Sequence, residues 1–395
     1  MSHPTKSKTL LRVKSDHGHH RVTYIELFFD LVFVFAVTQI SHFMLANLTL
    51  EGVLKTSFLM LAVWWVWMYT SWATNWLDPE RPPARVLMFT MMLAGLVLST
   101  SIPQAFDERG LAFAAAYAVM QVGRTLFVWW AVPHTEPILK RNFARIVAWL
   151  AVASVFWIAG GMVDGHDRYK LWGAALLIEY VGPMARFWTP GIGASSVDDW
   201  KVEGGHMAER CALFIIIALG ESLVVTGATF ANVPWTAATV TGFVVSFVGS
   251  LAMWWIYFDN AVEVGAANIS KATDPGRLAR LSYTYLHIPM VAGIIVWAVA
   301  DELVLAHPNG HTDFKAALVI LGGPFLFLLG AILFKKSIRG WFQPSHSAGL
   351  VALIGSAPLS MWLEPLTFAA LVTVVLLIVA AWETLSLRPT TKHEH

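Results

Sequence analysis

The sequence predicts an all-α integral membrane protein, with about twelve transmembrane helices in two parallel six-helix repeats. Three observations lead there. The 395 residues are 56% hydrophobic and only 13% charged, with a mean hydropathy of +0.59. A soluble chain carries about 25% charged residues, so this one lacks the polar surface that water requires. Apolar runs of membrane length recur along the chain, and Lys and Arg alternate in density between successive connections. The composition excludes a disordered chain. A formal net charge of +1 speaks against nucleic acid as a partner. The 19 Trp and 24 Phe suit membrane interfaces and lipid-facing positions. The single cysteine, Cys211, allows no internal disulfide.

Residues 1–23 are polar and basic, show no apolar leader segment, and read as a cytoplasmic tail. His17, His19 and His20 form either a metal-binding cluster or, on the plainer reading, part of a solvated tail. A bilayer core takes about 20 apolar residues per helix. Twelve runs approach this length: 26–46, 53–73, 85–102, 110–131, 143–163, 170–188, 209–230, 236–261, 281–304, 314–334, 347–363 and 365–385. Turn chemistry separates them at Asp78-Pro79, Arg81-Pro82-Pro83, Asp164-Gly165, Asp274-Pro275-Gly276 and Pro308-Asn309-Gly310. The eleventh run is interrupted by Gly355 and Pro358. A polar linker, 189–208, divides a first repeat, 24–188, from a second, 209–386, and residues 387–395 form a second cytoplasmic tail.

Lys and Arg set the expected orientation. Counting the two tails and the even-numbered connections as one side places 21 of them there and 5 on the other, with Arg124 inside a helix. Positive residues collect on the cytoplasmic side, so both termini are expected in the cytoplasm, with the bundle in the plasma membrane. The halves also repeat. Leu61-Ala-Val-Trp-Trp-Val-Trp67 matches Leu251-Ala-Met-Trp-Trp-Ile-Tyr257, and Val122-Gly-Arg-Thr-Leu-Phe127 matches Gly322-Gly-Pro-Phe-Leu-Phe327. Glu26 falls opposite Glu209. Six helices per unit bring the chain back to its starting side, so the repeats run parallel.

Ionisable groups inside membrane helices are costly, and each is a candidate functional residue. Glu26 and Asp30, four apart, share a helix face with Phe33, Val37 and Ser41. Arg124 lies deep in the fourth run beside Tyr117 and Gln121. It is expected to face inward and pair with Asp30 or Glu221. Arg210, Phe214, Ile217 and Glu221 follow one stripe of the seventh run. Glu179 and Arg186 share a face and are expected to satisfy each other. Asp259 with Glu263, and Asp301 with Glu302, read as interfacial. His287 is either a proton relay or a hydrogen-bonded structural residue. His206 and Glu209 do not make a metalloprotease motif, and no nucleotide loop, zinc spacing or nucleophile elbow is present.

Two segments carry a resemblance. Arg21-Val-Thr-Tyr-Ile-Glu-Leu-Phe-Phe-Asp-Leu-Val-Phe-Val-Phe-Ala36 and His206-Met-Ala-Glu-Arg-Cys-Ala-Leu-Phe-Ile-Ile-Ile-Ala-Leu-Gly-Glu221-Ser resemble the bacterial low temperature requirement A (LtrA) family. The resemblance covers nearly the whole chain. It implies a multi-pass plasma-membrane protein linked to growth in the cold, and it implies no particular substrate. The first run also resembles the first helix of a potassium-channel family built from six-helix units, although Phe28-Phe29-Asp30 stands where that family has Phe-Ser-Asp.

Three functions compete. The first is a channel or transporter for a small cation, proton or polar solute, with Glu26, Asp30, Arg124, Glu209, Arg210 and Glu221 along the path. Glu179, Asp259 and His287 are secondary candidates. The second is a structural or cofactor-binding membrane protein, its cofactor unspecified. The third is a membrane-embedded enzyme. The lipid bilayer is the expected partner, and an oligomeric state is left open.

Overall fold

The computed structural model describes residues 9–12, 21–196, 204–259 and 275–387. The histidine cluster His17, His19 and His20, together with Glu263, lies outside these residues. The described chain folds into helices α1 (Tyr24–Ala46), α2 (Leu50–Trp76), α3 (Pro82–Ser101), α4 (Gly110–Ala131), α5 (Pro137–Gly161), α6 (Gly165–Met184), α7 (Gly204–Asn232), α8 (Ala237–Phe258), α9 (Gly276–Ala306), α10 (Phe314–Arg339), α11 (Pro344–Ser356) and α12 (Pro365–Leu387). Among the described residues there is no β-strand, only two isolated bridges, Leu11 with Leu77 and Thr189 with Gly193.

Local chemistry accounts for the helix ends. Proline occupies the first turn of α3, α5 and α11, where its missing N–H is not needed. Thr236 caps α8 in a reciprocal capping box with Thr239, and the Asp313 carboxylate accepts the Ala316 N–H at the start of α10. α10 ends at Gly340, whose φ of 88° is the left-handed conformation that glycine adopts without strain. Within the helices, Thr56, Thr70, Ser99 and Thr125 donate their hydroxyls to the carbonyl four residues back, so they need no outside partner in an apolar medium.

Among the described residues ten helices are long and apolar enough to cross a membrane, where the sequence predicts twelve. α6 and α11 are the two that fall short. α6 carries Asp167, Arg168, Lys170 and Glu179 within 20 residues, which lowers its hydropathy. α11 has 13 residues and reaches about 20 Å, against a hydrocarbon core of about 30 Å. It stops at Ser356, and a 3-10 turn, Ala357–Met361, carries the chain on, as Gly355 and Pro358 foretell. The spanning helices are apolar outside as well as inside. Leu93, Val155 and Val224 are each at least 65% exposed. Helices hydrophobic all round belong in lipid. α7 begins at Gly204 rather than 209, which places His206 on the helix.

The chain divides into two compact units. The first comprises the described residues up to Ile40 together with Phe58–Arg210, and the second Ser41–Ser57 together with the described residues from Cys211 onward. In the first, α3 packs on α4, α4 on α5 and α5 on α6. α6 also meets α2, where Tyr180 stacks on Trp65 with ring centroids 3.9 Å apart and donates its hydroxyl to the Leu61 carbonyl at 3.0 Å. Aromatic rings fill one end of this unit: Trp157 lies 5.4 Å from Trp172 and 4.3 Å from Tyr117. The buried Arg168 ties the α5–α6 turn to the segment after α3, donating to the Gly160, Val163, Ala105 and Asp107 carbonyls.

In the second unit α9 packs along α10, α10 on α11, α11 on α12, and α12 on α8. The α9–α10 approach is backbone to backbone. A Cβ added at Gly293 falls 2.6 Å from the Gly323 carbonyl oxygen, and one at Gly323 falls 2.8 Å from the Trp297 nitrogen. Small residues set such close crossings in membranes. Trp255 of α8 donates to Thr384 Oγ1 of α12 at 3.0 Å. Among the described residues two π-helical turns interrupt the regular helices, Val119–Gly123 in α4 and Arg280–Tyr285 in α9, and such turns mark functional sites in many proteins.

Candidate functional site

The face of α1 carrying Glu26, Asp30, Phe33, Val37 and Ser41 is buried throughout. Its two carboxylates anchor a polar network in the first unit. Asp30 is fully buried and accepts both terminal nitrogens of Arg210, Nη1 on Oδ2 at 2.9 Å and Nη2 on Oδ1 at 2.8 Å. This is the two-pronged geometry that matches a guanidinium to a carboxylate. The Trp67 indole N–H donates to Asp30 Oδ1 at 2.8 Å, and Arg210 also lies over the Trp67 ring at 5.4 Å. Ser71 Oγ accepts Arg210 Nε and Nη2.

One turn away, Glu26 Oε2 accepts Arg12 Nη2 at 3.1 Å and both the N–H and the hydroxyl of Thr23 at 2.9 Å. Its Oε1 lies 2.9 Å from His206 Nε2, while Asn75 Nδ2 approaches His206 Nδ1 at 3.3 Å. Arg12 Nη2 also lies 3.2 Å from His206 Nε2, so the buried imidazole stands among Glu26, Arg12 and Asn75. Glu209 is half-buried and accepts the Val22 N–H. Arg12 also donates to the Thr74 and Leu77 carbonyls at the end of α2, so residues 9–12 of the expected solvated tail are docked.

Arg124 faces inward as expected, 1% exposed, but its partners are not the expected ones. Asp30 is held by Arg210. Arg124 donates to Gln121 Oε1 at 2.6 Å, Thr70 Oγ1 at 3.1 Å and the Val66 carbonyl. Gln121 relays to Glu179, donating to Oε2 at 2.9 Å, where Tyr117 also donates at 2.6 Å; Trp157 donates to Oε1 at 3.0 Å. The predicted Glu179–Arg186 pair is absent, because α6 ends at Met184 and Arg186 is exposed with a φ of 53°. α2 serves both networks of this unit through adjacent hydroxyls, Thr70 toward Arg124 and Ser71 toward Arg210.

In the second unit Glu221 is buried on the predicted stripe with Phe214. Asp301, expected at the interface, is 3% exposed, accepts the Thr226 hydroxyl at 3.1 Å and has the Ser246 hydroxyl beside it. His287 is buried and hydrogen-bonded at both ring nitrogens. Its Nδ1–H donates to the Ser282 carbonyl and its Nε2 accepts from the Tyr257 hydroxyl, both at 2.8 Å. Asp259 is half-buried and accepts the Thr384 hydroxyl. A cluster that sequence reasoning missed joins α10, α11 and α12. There Lys335 Nζ donates to Glu383 Oε2 at 2.5 Å and to the Ile256 carbonyl at 2.7 Å, with His346 Nε2 at 3.3 Å. The available signal was an acid, Glu383, two residues from the end of the last apolar run, much as Glu179 stands near the end of α6.

The comparisons with known proteins agree with the resemblance. The family described as bacterial low temperature requirement A protein (LtrA) matches residues 21–381. An uncharacterised protein of Rhizobium meliloti (strain 1021) is 40% identical over 376 residues, covering 95% of this chain and 92% of that one. No solved structure matches the chain.

Proposed function

We propose that this chain, which belongs to the bacterial low temperature requirement A family, is a plasma-membrane channel or transporter for a small cation, proton or polar solute. One observation carries the reading. Glu26, Asp30, Glu221, Asp301 and Glu383 all lie in helices of membrane-spanning length, and none is more than 5% exposed. Carboxyl groups at such positions are expensive, and transport gives them a use that anchoring does not. The groups proposed to serve the path are Glu26, Asp30, Arg124, Glu209 and Arg210 of the first unit and Glu221 of the second.

The two units also support a parallel six-helix repeat, which brings α6 and α11 into the membrane as the eleventh and twelfth spans. In each unit the sixth helix of the repeat returns to the second, α6 to α2 through Tyr180 and α12 to α8 through Thr384. In each, an acid near the end of that sixth helix is met by the fourth helix and the fifth: Glu179 by Gln121 and Trp157, Glu383 by Lys335 and His346. The 21-to-5 distribution of Lys and Arg supports cytoplasmic termini.

A specific observation favours the structural reading as the alternative. Asp30 and Arg210 neutralise each other and leave little charge for a permeant ion. Flux separates the two. Purified protein in liposomes is expected to dissipate an imposed cation or proton gradient, or to carry a small polar solute. Glu221→Gln, which keeps shape and removes charge, should assemble normally and alter flux. The transport reading falls if no solute crosses and the variant lowers only thermal stability.

A further inference from the structure

Asp301 differs in its company from three of the other buried acids. Asp30 has Arg210, Glu26 has Arg12, and Glu383 has Lys335. Asp301 has two hydroxyls, Thr226 Oγ1 of α7 and Ser246 Oγ of α8, and among the described residues no Lys, Arg or His pairs with it. Each of those hydroxyls carries acceptor lone pairs that a cation can use.

Two more hydroxyls lie one turn further from the α7–α8 connection. Ser222 precedes Thr226 by four residues on α7, and Ser250 follows Ser246 by four on α8, so each shares the face of its neighbour. Both are at most 3% exposed, and neither Oγ has a hydrogen-bond partner among the described residues. A buried hydroxyl without a partner costs free energy that a ligand recovers. α9 reaches the same level. Trp297, one turn before Asp301, lays its indole on Gly249, where an added Cβ falls 2.2 Å from Cζ2. A cleft of about 240 Å³ lined by Leu303, Val304, His307, His311, Asp313 and Lys315 lies at the C-terminal end of α9, and Val304 is one turn from Asp301.

We propose that Asp301, Thr226, Ser246, Ser222 and Ser250 form a binding site for a monovalent alkali cation within the second unit. The donor set is all oxygen, the choice of hard cations. It supplies one negative charge, which one monovalent ion balances and a divalent ion overbalances in a medium of low dielectric. The cleft at the end of α9 is the route of entry. The site deepens the transport reading and rests on it for its physiological use.

The test uses full-length protein in lipid nanodiscs, melted in sodium, potassium or choline chloride at constant ionic strength. At about a hundredfold excess over Kd, sodium or potassium should raise the wild-type Tm by about 5 °C over choline. Asp301→Asn should lose the rise. The Ser222→Ala/Ser250→Ala double variant removes hydroxyls that bond to nothing described, so its Tm in choline should match or exceed that of wild type. The concentration giving half the rise should increase about tenfold or more in that variant. Identical wild-type melting in all three salts, or an unchanged concentration dependence in the double variant, overturns the site. A shift that follows pH alone assigns a proton and overturns the alkali-cation proposal. Flux in liposomes is read separately. A cation-specific shift without flux keeps the site and removes the transport reading, and flux without the shift does the reverse.

Discussion

Arg210 and Asp30 are joined by two hydrogen bonds in a site with no exposed surface, so neither residue can be judged alone. Removing one buried partner leaves an uncompensated charge, at a cost of about 3–5 kcal/mol, whereas removing both charges costs far less. Arg210→Met should therefore sharply lower the monodisperse yield, and Asp30→Asn combined with Arg210→Met should recover much of it, as read by size-exclusion fluorescence. Additive losses would falsify the coupling. Gln121 is the corresponding joint of the other network, accepting from Arg124 and donating to Glu179. Gln121→Leu strips one contact from each and should cost about 2–4 kcal/mol, since a buried group left short of a partner loses about 1–3 kcal/mol. Thr125→Val, which loses a bond to a carbonyl of its own helix and a long 3.4 Å contact from Arg124 Nη2, should cost less in the same thermal melts. The presence of buried ionisable residues was legible in the sequence. The identity of the partner was not, because Arg124, Arg210 and their acids all lie on inward stripes and spacing ranks none of the pairings.

The helices themselves were largely readable, since hydropathy is a local property and the bilayer demands it of each span. α4 and α10 start where the runs predict, at residues 110 and 314. The failures have local causes: α6 carries four charged residues, and α11 is cut short at Ser356. What spacing does not reveal is which glycine touches a neighbour. Gly322 and Gly323 are adjacent in α10, yet an added Cβ at Gly322 meets nothing closer than 3.7 Å, while one at Gly323 meets α9 backbone at 2.8 Å. Gly323→Ala should destabilise by about 1–3 kcal/mol through overpacking. Gly322→Ala should be neutral or stabilise by up to about 1 kcal/mol, because alanine is the better helix former. Melting curves of the two variants side by side decide this, and equal behaviour contradicts the close crossing.

At the scale of the whole molecule the expectation is topological. With Cys211→Ala as background, a cysteine at Asn309 lies in the connection between α9 and α10, and one at Thr135 lies between α4 and α5; both positions are exposed. An impermeant thiol reagent added outside intact cells should label Asn309→Cys and spare Thr135→Cys until the membrane is opened. The reverse pattern inverts the protein. Equal labelling of both positions removes the even helix count on which the Lys and Arg asymmetry rests.

Class and helix positions follow from the sequence by itself, because each span must be apolar over its own length whatever its neighbours do. The LtrA family follows as well, since its two segments, 21–36 and 206–222, are contiguous motifs readable in one pass. Only the tertiary structure decided which groups meet. Arg12 reaches Glu26 because residues 9–12 dock on the end of α2. Arg210 finds Asp30 across 180 residues of chain. Asp301, which resembles an interfacial acid by position, is enclosed by hydroxyls from α7 and α8. These outcomes depend on helix rotation and on how closely small residues let backbones approach. Both are set by packing between distant segments, and no window of local sequence contains that information.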